Sequence, residues 1–125
     1  MKITTFNPMI TTPDAEPMVK LFEEFGFEVR HTKEGISAND ATDFRMKNAD
    51  GFAIDIVQGK EPKSYFFIRI NVDNLDEAME IFKAHGFRFA RHDAVNNTVE
   101  TGSSKFNILV SPTGTIFAVS EHIKD

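Results

Sequence analysis

Residues 21–29 read LFEEFGFEV and residues 81–89 read IFKAHGFRF, and the two stretches align without a gap. Met18, Leu21, Phe22 and Phe25 recur at helical spacing in the first; Leu75, Ala78, Met79, Ile81 and Phe82 do so in the second. Gly26 and Gly86 then stand where a glycine commonly ends a helix. A second pair follows in the same order: KNADGFAIDI at 47–56 and VSPTGTIFAV at 110–119. The separation between the matches differs by three residues, which one loop absorbs. Chance periodicity gives one such match; two in the same order predict a duplicated half.

The first half reads as a strand over 3–12, a helix with Asp14 as N-cap, and a strand from 27 to about 32. The polar stretch 33–43 reads as a loop. A strand at 44–47, a turn at 48–51 and a strand at 52–58 complete this half. After the polar connector 59–63 the order repeats. It runs through a strand at 65–72, a helix capped by Asn74, and a strand at 87–91. A long polar loop at 93–104 leads to strands at 106–110 and 115–122. The expectation is one α+β domain over 1–125, with tandem βαβββ modules at about 1–59 and 64–123.

Composition removes several function classes. The chain has 125 residues, 41% hydrophobic and 26% charged, which suits one soluble domain. It has no Cys, so disulfides, thiolate ligands and a cysteine nucleophile are excluded. The net charge is -5, without a basic cluster to neutralise phosphates, so no nucleic-acid partner is expected. No apolar run reaches the roughly 20 residues that span a bilayer, so no membrane partner is expected. The N-terminal residues lack a signal-peptide pattern, and a cytoplasmic location is the default.

The stretches TTPDAEPMVKLFEEFGFEV, KNADGFAIDIVQ, NVDNLDEAMEIFKAHGFRF and SPTGTIFAVSEH, in this order, resemble the vicinal oxygen chelate superfamily. That superfamily includes glyoxalase I, extradiol dioxygenases and bleomycin-resistance proteins. The resemblance covers nearly the whole chain and implies two βαβββ modules forming a curved mixed sheet around a cleft. It also implies a homodimer, and, in metal-dependent members, four ligands from the first and last strands of each half. Those positions fall on Asn7, Asp55, Phe67 and Ala118. Two are apolar and Asn is a poor ligand, so the expectation is no metal and no cofactor. The histidines at 31, 85, 92 and 122 show no helical metal-site spacing and read as surface residues.

Strand alternation assigns faces. Pro8, Ile10, Ile68, Ile70 and Val72 belong beneath the helices. Asn7, Met9, Thr11, Ala53, Asp55, Val57, Phe67, Arg69, Asn71, Ala118 and Ser120 belong on the opposite, cleft-facing side. The candidate ligand-binding residues are therefore Asn7, Met9, Asp55, Val57, Phe67, Arg69, Asn71, Ala118 and Ser120. Apolar walls with a few polar groups are the usual make-up of a small-molecule pocket. Asp55 with Arg69 is the candidate charged pair; the face of Arg45 and of Asn107 is left open. The expected function is metal-free small-molecule binding of the bleomycin-resistance type. The alternatives are a metal-dependent lyase, isomerase or dioxygenase resembling glyoxalase I, and a protein-interaction paralogue with a closed cleft.

Overall fold

The computed structural model describes residues 1–36, 40–90 and 104–122, and the backbone of 99–100. It divides into two compact units, residues 7–66 and residues 1–6 with those from 67 onward. Both have the α+β character expected from the sequence.

The first unit contains β1 (Ile3–Thr12, which begins in the other unit), α1 (Glu16–Glu24), β2 (Glu28–Ile36), β3 (Ala41–Lys47) and β4 (Ala53–Gln58). β2 pairs antiparallel with β3, β3 antiparallel with β4, and β4 parallel with β1. Parallel pairing of first and last strands requires a crossover, and α1 with the β2–β3 hairpin supplies it. Ala15, Met46, Ile54 and Ile56 form the buried core, with Ile10, Met18, Val19, Phe22, Phe27 and Phe44 packed against it. α1 thus covers the sheet face that carries Ile10, Phe44, Met46, Ile54 and Ile56.

The second unit contains β5 (Tyr65–Val72, which begins in the first unit), α2 (Leu75–Ala84), β6 (Arg88–Phe89), β7 (Val99–Glu100), β8 (Ser104–Val110) and β9 (Ile116–His122). β5 pairs parallel with β9, β9 antiparallel with β8, and β8 antiparallel with β6 and β7. Ile70, Val72, Leu75, Ala78, Met79, Leu109 and Val119 form its core. Phe82, Phe87 and Phe117 pack edge to face there, with centroids 4.9–5.5 Å apart.

The same tie fixes the start of both helices. The Gln58 side chain accepts from Ala15 N–H at 2.8 Å, and the Glu121 side chain accepts from Leu75 N–H at 2.6 Å. Each bond satisfies an N–H that the helix leaves without an internal partner. Asn74 additionally caps α2 through Glu77 N–H. α1 has no such side-chain cap: its N-cap is Ala15, and the expected cap, Asp14, accepts instead from Glu16 N–H at 3.2 Å. Gly26 and Gly86 have φ of 91° and 83°, the left-handed conformation that ends both helices.

Two expectations need correction. The stretch 33–43 is not all loop: β2 continues to Ile36 and β3 begins at Ala41, with Lys33 opposite Asp43. β2 lies at the outer end of its sheet, so it buries little and shows no apolar alternation. Phe25 continues the helical spacing of the sequence, but it is the C-cap that follows α1 and is 70% exposed, so it is not part of the packed face. His92 and most of the expected 93–104 loop lie outside the described residues.

Candidate functional site

The face of the first unit not covered by α1 is read from the strand register. Met9 pairs with Asp55, and Asp55 with Arg45, which faces His31 across β2. One step along, Thr11 pairs with Val57, Val57 with Asp43, and Asp43 with Lys33. Side chains at paired positions share a face. The result is a polar row, Asp55 and Arg45, beside a second row with Thr11 and Asp43 flanking Val57.

Asp55 is fully buried, at 0% exposure. Arg45 Nε donates to its Oδ1 at 3.0 Å, while the Arg45 side chain stays 34% exposed. Burial pushes the Asp55 carboxyl above the usual carboxylate range, and the Arg45 charge with hydrogen bonds from Arg45 and Asn7 opposes this. Asn7 is buried too, and its Nδ2 also donates to the Pro8 carbonyl at 2.8 Å.

Asp43 is half-buried, and its Oδ1 is shielded from solvent with no hydrogen-bond partner among the described residues. Burial, then the nearby Asp55 charge, push its carboxyl up to about 7, against the pull of Arg45 and Lys33. Burial lowers the Lys33 ammonium; Asp43 opposes this and Arg45 adds to it. The Thr11 hydroxyl is likewise shielded and without a hydrogen-bond partner.

In the second unit the uncovered face carries Arg69 opposite Ala118 and Asn71 opposite Ser120. Ile108 and Phe106 extend these rows onto β8, and Phe67 lies one step before Arg69. Ala118 and Ser120 are buried, and Asn71 Oδ1 is shielded without a partner. Asn107 is opposite Val119, so it lies on the helix-covered side, 1% exposed.

Each nominated residue thus lies on the face that alternation assigned within its own unit. Asn7, Met9, Asp55 and Val57 share one face; Phe67, Arg69, Asn71, Ala118 and Ser120 share the other unit's. The sequence reading missed Asp43 and Lys33 by placing them in a loop, and left Arg45 without a face. The signal was the run Asp43-Phe44-Arg45: a strand begun one residue earlier puts both charges opposite Phe44. Among the described residues, no three His, Asp or Glu side chains gather as a metal site would need.

Neither a scan of family models nor a search of curated proteins gives a match. Solved structures do. Methylmalonyl-CoA epimerase from Mycobacterium tuberculosis superposes with a TM-score of 0.68 at 12% identity, covering 98% of this chain and 90% of that one. A hypothetical protein from Bacillus halodurans gives 0.73 at 10% identity, covering 100% and 98%. A glyoxalase/bleomycin resistance protein/dioxygenase superfamily member from Vibrio splendidus gives 0.60 at 13% identity, covering 96% and 99%. The chain therefore has the glyoxalase fold of the vicinal oxygen chelate superfamily. At these identities the likeness speaks for the fold and leaves the activity to the site.

Proposed function

We propose that this chain binds a small organic molecule on the uncovered sheet faces and does so without the superfamily's divalent metal. The observation that carries the reading is the Arg45 guanidinium against the buried Asp55 carboxylate, at 3.0 Å. A cation already neutralises the one good ligand of the four family positions, and a dication beside it would meet repulsion. Phe67 and Ala118 offer no lone pair, and Asn7 would offer only a neutral amide oxygen. That donor set does not fit a divalent ion.

Asn7, Met9, Asp55 and Val57 are the proposed contacts in the first unit. Phe67, Arg69, Asn71, Ala118 and Ser120 are those in the second. Solved proteins of this fold include a methylmalonyl-CoA epimerase holding methylmalonyl-CoA, so the scaffold accommodates an organic ligand. A homodimer and a cytoplasmic location complete the reading. No helix among the described residues is long and apolar enough to cross a membrane.

Native mass spectrometry of protein purified from its own cells tests the proposal. A retained small molecule with no metal supports it. Calorimetric titration with nickel, zinc and manganese should show no tight stoichiometric site; one such site would restore the metal-dependent enzyme as the better reading.

A further inference from the structure

Arg45 commits one nitrogen to Asp55. Nε donates to Oδ1 at 3.0 Å, and no other hydrogen bond of this guanidinium occurs among the described residues. A guanidinium held through Nε presents its two terminal NH2 groups along one edge. That edge matches the two oxygens of a carboxylate in spacing and plane. Two residues away on the same face, the shielded Asp43 Oδ1 has no hydrogen-bond partner among the described residues, and neither has the Thr11 hydroxyl across Val57. Buried polar groups are ordinarily satisfied, and two in one row beside an open guanidinium edge call for a polar occupant.

We propose that the uncovered face of the first unit holds a subsite for a planar carboxylate on the ligand, received by the Nη1–Nη2 edge of Arg45, with the Asp43 carboxyl and the Thr11 hydroxyl donating beside it. This rests on the ligand-binding reading above and adds the chemical class. The charges around the subsite favour it. Lys33 on β2, Arg45 on β3 and Asp55 on β4 face Asp43. His31 stands opposite Arg45, and β1 contributes the neutral Asn7, Met9 and Thr11. With Asp43 protonated, Lys33 and Arg45 outnumber Asp55 by one positive charge, which draws an anion. With Asp43 ionised the surplus vanishes, and its carboxylate repels the incoming one. The Asp43 carboxyl sits at about 7, so carboxylate binding weakens as pH rises through neutrality.

The test is an amide NMR titration of the full chain with propionate, against propionamide and propylamine of similar size, at pH 6 and pH 8. Propionate should shift amides of β3 and β4 and bind about fivefold to tenfold more weakly at pH 8, the change linked to one proton over this range. Arg45→Gln should weaken propionate at least tenfold. Asp43→Asn should remove the pH dependence, so that propionate binds with the same affinity at pH 6 and at pH 8. Arg45→Lys, which keeps the charge and loses the planar edge, carries the test if Arg45→Gln does not fold, and should also weaken binding. Preference for propylamine or propionamide, or unchanged propionate binding in the Arg45 variants, overturns the carboxylate subsite and leaves ligand binding standing. Silence with all three probes overturns the subsite as well. The ligand-binding reading then stands or falls separately, on whether native mass spectrometry finds a retained molecule.

Discussion

The two halves share a leading strand, a helix and a helix tie, and the second has one short strand more, yet their uncovered faces carry different chemistry. In the first unit the central row is Met9, Asp55 and Arg45; in the second the corresponding row is Arg69, Ala118 and Ile108. The neighbouring row is Thr11, Val57 and Asp43 in one, and Asn71, Ser120 and Phe106 in the other. The cores beneath the helices, by contrast, both carry branched aliphatic residues and a Met, Met46 on β3 in the first unit and Met79 on α2 in the second. Each unit packs an apolar core beneath its own helix, while the uncovered sheet faces carry different residues. A scaffold needs one face for packing and leaves the other available for a site.

The largest way to break this contrast is at Arg45. Arg45→Met leaves the buried Asp55 without that guanidinium, and should cost about 2–4 kcal/mol, somewhat below the roughly 3–5 kcal/mol for a fully buried pair because Arg45 is 34% exposed. Ile108→Met at the corresponding position conserves volume and polarity and should cost less than about 1.5 kcal/mol. Urea unfolding of both variants at pH 7 measures the difference. Equal losses would mean that Arg45 serves as packing rather than as the counter-charge of Asp55.

Asp43 gives a smaller effect with a definite pH signature. Its folded pKa of about 7 lies above the unfolded value, near 3.9. Between those values the folded chain holds a proton that the unfolded chain has released. Stability is therefore fully present below about pH 4 and is lost as pH rises to about 7. Asp43→Asn removes the titration and should add about 1–2 kcal/mol at pH 8 and close to nothing at pH 4, judged by urea midpoints at both. A loss of stability at pH 8 would show that ionised Asp43 is held favourably by Lys33 and Arg45. Phe106, at the corresponding place in the second unit, has no charge to titrate.

The helix starts should differ modestly. α1 relies on Gln58 at Ala15 N–H, with no N-cap side chain, whereas α2 has both Glu121 and Asn74. Gln58→Ala should cost about 1 kcal/mol. Asn74→Ala should cost about 0.5–1 kcal/mol, since Glu121 still holds Leu75 N–H. Thermal melts of the two variants compare them, and a larger loss at Asn74 would reverse the assignment.

How far the sequence carried depends on how strongly each segment buries. The helices, β1, β4, β5 and β9 pack apolar residues against a core, so periodicity and glycine stops revealed them and put Asn7, Asp55 and Arg69 on the correct faces. β2 was half hidden because an outer strand with Arg30, Lys33 and Glu34 buries almost nothing. That shortened strand then concealed Asp43 and its opposite number Lys33. Asp14 also misled, since Asp after Pro13 carries the usual cap signature. The observed tie comes from Gln58, 43 residues away, and no local pattern reports a bond of that separation.

The smallest expected effect lies at the helix ends. In the aligned stretches, Phe25 occupies the place of His85, and each is the C-cap of its helix. His85 Nδ1 lies 2.9 Å from the Ile81 carbonyl, one of the carbonyls that a helix end leaves without an internal partner. Phe25 is 70% exposed and can make no such bond. Phe25→His gives up little burial and gains a donor one turn from the Leu21 carbonyl, to which the Phe25 backbone N–H already points at 3.3 Å. The exchange should leave stability within about 0.5 kcal/mol of the parent, as for surface changes generally. A melt that falls by more than this would mean that the Phe25 ring is covered in solution, by a second copy or another partner. Light scattering on the same samples separates these outcomes, because loss of a dimer changes the mass and loss of an internal contact does not.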